Sequence, residues 1–135
     1  MTKTEEFADR VTDFAVAVME LYDELPKTFL GRHIGQQMLR AGTAVAANYA
    51  EVRGAESTND FIHKLGIVRK ELYECLEWLR LIGRRRILPT ARVNPVQVEC
   101  DQLCRIISTS KKTAEKNRRM RGDISNQTSD LRRQT

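Results

Sequence analysis

Apolar residues recur along most of this chain at intervals of three and four. Phe7, Val11, Phe14, Val18, Leu21 and Leu25 follow one another at spacings of 4, 3, 4, 3 and 4. That rhythm lines one side of a helix with an apolar seam. Thr2, with Glu5 three residues on, predicts the helix start as a capping box, and Pro26 predicts its stop. A second helix is predicted from about Leu30 to Arg53, with a seam of Ile34, Met38, Ala41, Val45, Asn48 and Val52. Small residues surround that seam (Ala41, Gly42, Ala44, Ala46, Ala47, Ala50) and let a neighbouring helix come close. Gly54 suits the left-handed position just past a helix end.

Ser57 predicts the cap of a third helix, with Asp60 three residues later as a short capping-box variant. Phe61, Leu65, Val68, Leu72, Cys75, Leu79 and Ile82 form its seam, widened by Ile62, Leu76 and Trp78. Gly83, the run Arg84-Arg85-Arg86 and Pro89 end it. Asn94-Pro95 predicts the fourth helix start, as cap and first-turn proline. Its seam is Val96, Cys100, Leu103, Ile107, Ser110 and Ala114. The apolar pattern fades after Ile107, and from about Gly122 the chain is polar. No segment alternates with a period of two, so strands are not expected. Four helices of roughly 20–28 residues joined by short connections predict an all-α, antiparallel up-down-up-down four-helix bundle. The bundle is expected over residues 1–120, followed by a basic, disordered tail over 121–135.

Composition narrows the function. The chain has 135 residues and a net charge of +5, which fits one domain. Residues 1–110 hold 15 Lys/Arg and 15 Asp/Glu, whereas residues 111–135 hold 8 and 3. The excess charge therefore sits at the C-terminal end. Cys75, Cys100 and Cys104 form no Cys-x-x-Cys pair, and His33 and His63 lie far from them in sequence. Buried reduced thiols are expected rather than a metal centre, which suits a reducing, cytoplasmic setting. The N-terminal residues are too charged for a signal peptide, and no apolar run approaches the ~18 residues of a membrane span.

Catalytic signatures are missing. There is no GxSxG, phosphate-binding glycine loop, GxGxxG or HExxH. A di-iron bundle needs Glu-x-x-His on two helices, and neither histidine follows a glutamate by three. His63 follows Asp60 by three, which alone falls short of a metal pair or a proton relay. We expect no enzyme activity and no cofactor.

One polar stretch interrupts the pattern. Ala47-Asn48-Tyr49-Ala50-Glu51, Arg53-Gly54-Ala55-Glu56-Ser57 and Asp60-Phe61 precede Arg69-Lys70-Glu71-Leu72-Tyr73-Glu74 and Glu77-Trp78-Leu79. In this order the motifs resemble the bacterial 23S ribosomal RNA intervening-sequence protein family, over roughly residues 7–115. The accessory variability determinant of diversity-generating retroelements looks like a relative of that group. The resemblance implies a four-helix protomer, assembly into a homopentamer, and a nucleic-acid-associated role. Many members read Asn-Ile-Ala-Glu-Gly where this chain has Tyr49 for the isoleucine and Val52 for the glycine, which suggests a subgroup.

The residues themselves give that stretch a structural reading. Asn48 falls on the seam, where a buried amide must find partners or cost roughly 1–3 kcal/mol; such a group fixes helix register. Glu51, one turn on, is expected to accept hydrogen bonds from the start of the third helix. Arg53 is expected to bridge to Glu56 or Glu71. Ligand contact through the same residues is the alternative.

Basic residues supply the functional expectation. Lys111, Lys112, Lys116, Arg118, Arg119 and Arg121 form one patch, and Arg84, Arg85 and Arg86 a second. Cations also suit a helix C-terminus and aid solubility. Repeated around an oligomeric ring, they would attract RNA or DNA phosphates. Aromatic residues lie mostly on or near seams, which argues against sequence-specific reading of single strands. The leading expectation is an oligomeric, non-enzymatic RNA- or DNA-binding bundle. The alternative is a protein-interaction adaptor that recruits a partner such as a reverse transcriptase.

Overall fold

The structure, a computed structural model, describes the backbone of residues 1–134 and the side chains of residues 1–122. Among the described residues there are four helices and no strands: α1 (Lys3–Glu24), α2 (Phe29–Arg53), α3 (Thr58–Arg85) and α4 (Thr90–Gln134). The division expected between bundle and tail at residues 120 and 121 falls within α4, and the tail's side chains from 123 on lie outside the described residues. The backbone of α4 carries on through Gln134.

Local signals explain most helix ends. At α1 the Thr2 hydroxyl accepts from the Glu5 N–H at 3.1 Å, and the Glu5 carboxylate accepts from the Thr2 N–H at 2.9 Å. Two of the amides left over at a helix start are thereby satisfied. Leu25, ahead of Pro26, is extended with ψ 144°, because the proline ring crowds out the helical conformation before it. Thr28 caps α2 by accepting from the Gly31 N–H at 3.1 Å. Ser57 caps α3 by accepting from the Asp60 N–H at 3.0 Å. The Asp60 carboxylate accepts from the Glu56 N–H at 3.2 Å, one residue before the position a full capping box would use.

Two helix ends differ from expectation. Gly54 is not left-handed; it sits at φ −96°, ψ 12°, with its N–H turned back to Glu51 and Val52. The left-handed residue is Arg86, at φ 59°, ψ 40°. Its N–H reaches the Gly83 carbonyl, and the Ile87 N–H reaches the Ile82 carbonyl at 3.0 Å. This is a Schellman closure built on an arginine instead of a glycine. The second difference is the start of α4, at Thr90 and not at Asn94-Pro95. The Arg92 and Val93 N–H groups both turn to the Pro89 carbonyl, and the early turn buries Val93 beside Leu88. Pro95 then stands inside the helix and leaves the Ala91 carbonyl without a partner N–H. Ala91 is exposed, so water can satisfy it.

The seams close on one core. Val18, Leu21, Met38, Val45, Leu72, Leu79, Leu103 and Ile107 are all essentially inaccessible. Each helix packs against two others: α1 on α2 and α4, and α3 on α2 and α4. The α1–α4 contact is the thinnest. The small residues of α2 work as their size predicts. A Cβ on Gly42 would stand 2.7 Å from a Val18 methyl, and one on Gly31 would stand 2.1 Å from the Pro26 carbonyl oxygen. All three cysteines are buried and unbridged. The Cys100 thiol donates to the Leu72 carbonyl at 3.3 Å, and its contacts with Cys104 and Cys75, then burial, push it well above the ordinary thiol range. No buried residue is polar or charged among those described. None of the helices is long and apolar enough to cross a membrane among the described residues.

Candidate nucleic-acid interface

The polar stretch of α2 and the C-terminal basic patch meet at one end of the molecule. Arg118 on α4 donates to the Asn59 side-chain oxygen at 3.0 Å, and Arg121 donates to the Thr58 hydroxyl at 3.4 Å. Both partners belong to the first turn of α3, just past the Ser57 cap. The two arginines therefore lie across the α2–α3 connection. Beside them opens a cleft of about 710 Å³, lined by Thr4, Tyr49, Arg53, Ser57, Phe61 and Arg121 among others. Tyr49 packs edge-on against Phe7, with ring centroids 5.2 Å apart. Burial raises its hydroxyl above the usual tyrosine value, and the charge of Arg53 opposes that rise.

Ion pairing sorts the cations of this end. Lys111 binds Glu115 at 2.6 Å, and this bond, helped by Arg118 and Arg119, holds the Glu115 carboxyl below its usual value. Lys64 binds Asp60 at 2.9 Å. Lys112, Lys116 and Arg119 are exposed and make no ion pair among the described residues. Arg53, exposed in the cleft, makes none either.

The second patch lies at the opposite end. Arg84, Arg85 and Arg86 are exposed and likewise make no ion pair among the described residues. The 28 residues of α4 between Thr90 and Arg118 separate the patches by about 40 Å, at ~1.5 Å rise per residue.

The polar joint is built differently from expectation. Asn48 is half-buried, and its side-chain N–H donates to the Ala44 carbonyl of its own helix at 2.8 Å. Such a bond cannot set the register of two helices. Glu51 is exposed and accepts no bond from the start of α3 among the described residues; there the Ser57 hydroxyl takes the Asp60 N–H. Arg53 lines the cleft and bridges to neither Glu56 nor Glu71. Glu71 instead accepts from Arg40 at 3.3 Å, and Arg40 also pairs with Glu74. Ser57 fills its predicted role. Cleft residues such as Thr4 carried no sequence signal, since only the fold brings the start of α1 to the α2–α3 connection.

No group of three or more side chains able to hold a metal ion occurs among the described residues. No curated protein sequence matches the chain. A solved structure from Bacteroides thetaiotaomicron, described as a protein of unknown function from the S23 ribosomal protein family, is similar. It shares 30% sequence identity and a TM-score of 0.71, covering 78% of this chain and 97% of its own. A sequence profile described as 23S rRNA-intervening sequence protein matches residues 3–109. The order of motifs from Asn48 to Trp78 and the helical fold agree with that match: the chain belongs to the 23S rRNA-intervening sequence protein family.

Proposed function

We propose that this protein is a non-enzymatic, oligomeric four-helix bundle that binds nucleic acid, RNA in preference, through backbone charge. The observation that carries the reading is the pair of basic ends with cations that make no ion pair among the described residues. Lys112, Lys116 and Arg119 serve one end and Arg84, Arg85 and Arg86 the other. Unpaired cations release phosphate counterions on binding, whereas cations already neutralised add little.

An antiparallel up-down-up-down order is part of this reading. Opposed contacts support it: Phe7 meets Tyr49 while Val18 meets Gly42. Cys75 approaches the Met38 carbonyl, Cys100 that of Leu72, and Arg118 the Asn59 side chain. In the α1–α2 and α3–α4 pairs one residue number rises as the other falls. A homopentamer would raise the charge of +5 per chain to about +25 around one ring. The buried free thiols suit a cytoplasmic setting.

Truncation after Ala114 tests the reading. It removes Lys116, Arg118, Arg119 and Arg121, and structured-RNA affinity is expected to drop by about 100-fold or more. Undiminished RNA affinity would overturn the role given to this end. Capture of one protein partner that survives both nuclease and truncation would favour an adaptor, such as one recruiting a reverse transcriptase. Light scattering on the intact chain reads the assembly, and a monomer would remove the ring.

A further inference from the structure

Phe29, the first residue of α2, is 88% exposed and takes no part in the core cluster. Its ring lies parallel to that of His33, one turn on, with planes within 4° and centroids 6.4 Å apart. His33 in turn meets Trp78 of α3 edge-on at 6.2 Å. The indole Nε1–H of Trp78 is buried without a hydrogen-bond partner. Leu30, next to Phe29 in sequence, and Leu81, three residues past Trp78 on α3, are 44% and 41% exposed. The result is a run of aromatic and aliphatic surface with an open outer ring face.

Positive charge borders this surface. Arg85 follows Leu81 by four residues and Trp78 by seven, so all three share one side of α3. His33 stands level with Trp78, and Arg40 with Glu71 and Glu74. The same register brings Phe29 level with the last turn of α3, where Arg84–Arg86 begin. Three carboxylates of this end are already paired: Glu74 with Arg40, Glu77 with Arg80, and Glu24 with Arg92. A flat apolar face beside uncompensated cations fits a ligand that is itself flat on one side and anionic on the other.

We propose that Phe29 and His33 form a stacking site for an unpaired base of a single-stranded nucleic-acid segment, with its adjoining phosphate held by Arg85. The site extends the nucleic-acid-binding reading above and rests on it. Every base offers a π-face, so such a site tolerates sequence while preferring unpaired over paired strands. Face-to-face pairing of two copies would oppose their arginine runs; a head-to-tail contact in a ring would not, and a changed mass by light scattering reads it.

The chain's one tryptophan, Trp78, is an intrinsic reporter next to the site. The intact protein is titrated at low salt with an oligouridylate of about 12 nucleotides and, separately, with blunt duplex RNA. The oligouridylate is expected to quench Trp78 emission. Phe29→Ala, at an exposed position that leaves folding intact, is expected to weaken oligouridylate binding by about 5- to 100-fold and to leave duplex affinity unchanged. Phe29→Tyr is expected to restore it, and Arg85→Gln to weaken it in a salt-dependent way. Duplex binding without oligouridylate binding overturns the stacking site and leaves the broader reading standing. Failure of both ligands overturns both. Unaltered oligouridylate affinity in Phe29→Ala, equal losses for the two ligands, or a changed mass by light scattering would each remove the stacking role, the last in favour of self-association.

Discussion

Both ends of the bundle carry a basic patch, and they present it in different ways. At the cleft end, Lys111 and Lys64 are bound to carboxylates, and Arg118 and Arg121 are tied to the first turn of α3. The rings there, Phe7 and Tyr49, are half-buried against the core. At the arginine-run end, Arg84, Arg85 and Arg86 have no ion-pair partner among the described residues, and Phe29 turns outward. A count of cations is therefore a poor measure of attraction for phosphate. What matters is which cations remain uncompensated and which surface adjoins them. The cleft end offers a shaped recess fixed by hydrogen bonds with Lys112, Lys116 and Arg119 exposed near it, and the other end offers a stacking face beside its arginines.

The strongest way to break this contrast is to remove the core both ends share. Leu72 is fully buried at mid-bundle, and Leu72→Ala is expected to cost about 2–5 kcal/mol by urea denaturation. Both ends should lose binding together as the fraction folded falls. Retained binding at one end alone would mean that the ends fold separately.

A smaller change sharpens the comparison at the arginine run. Arg86 holds a left-handed backbone that a side chain disfavours by about 1 kcal/mol. Arg86→Gly is expected to raise stability by up to about that amount while weakening RNA binding. Opposite signs in the two measurements would identify a residue retained for its charge. A loss of stability would show that the arginine side chain supports the fold.

The smallest effect concerns acid. Glu24 ties the end of α1 to Arg92 of α4, and this hydrogen bond holds its carboxyl below the ordinary value of 4.5. A depressed folded value means the contribution is present above the unfolded value and is lost as pH falls through the folded one. The Tm of the protein should decline as pH drops below about 4.5, and Glu24→Gln should make that decline shallower. Asp60 and Glu115, depressed by Lys64 and Lys111 at the cleft end, would supply the decline that remains. A Tm profile identical to the parent's would show that the Glu24 pair adds nothing in solution.

The fold was readable because its signals are local. Seam periodicity, the Thr2–Glu5 box and the Ser57 cap need only neighbours in sequence. The polar joint was less readable because its partners depend on register between helices. Nothing in the sequence distinguishes Arg40 from Arg53 as the partner of Glu71, since that choice depends on how α2 slides along α3. The left-handed cap was assigned to Gly54 by residue type, whereas closure of α3 onto Leu88 and Val93 placed that conformation at Arg86. Phe29 falls just before the helix start predicted at about Leu30, and its outward turn depends on the angle of the helix.

The central claim is attraction of nucleic-acid backbone to uncompensated charge. Filter binding of a structured RNA to the intact chain, repeated from low to high salt, tests it most directly. The account predicts tight binding at low salt and a linear fall of log affinity with log salt, at a slope of about −0.7 to −0.9 per phosphate contacted. No binding at low salt by a correctly assembled oligomer, or binding indifferent to salt, would contradict it.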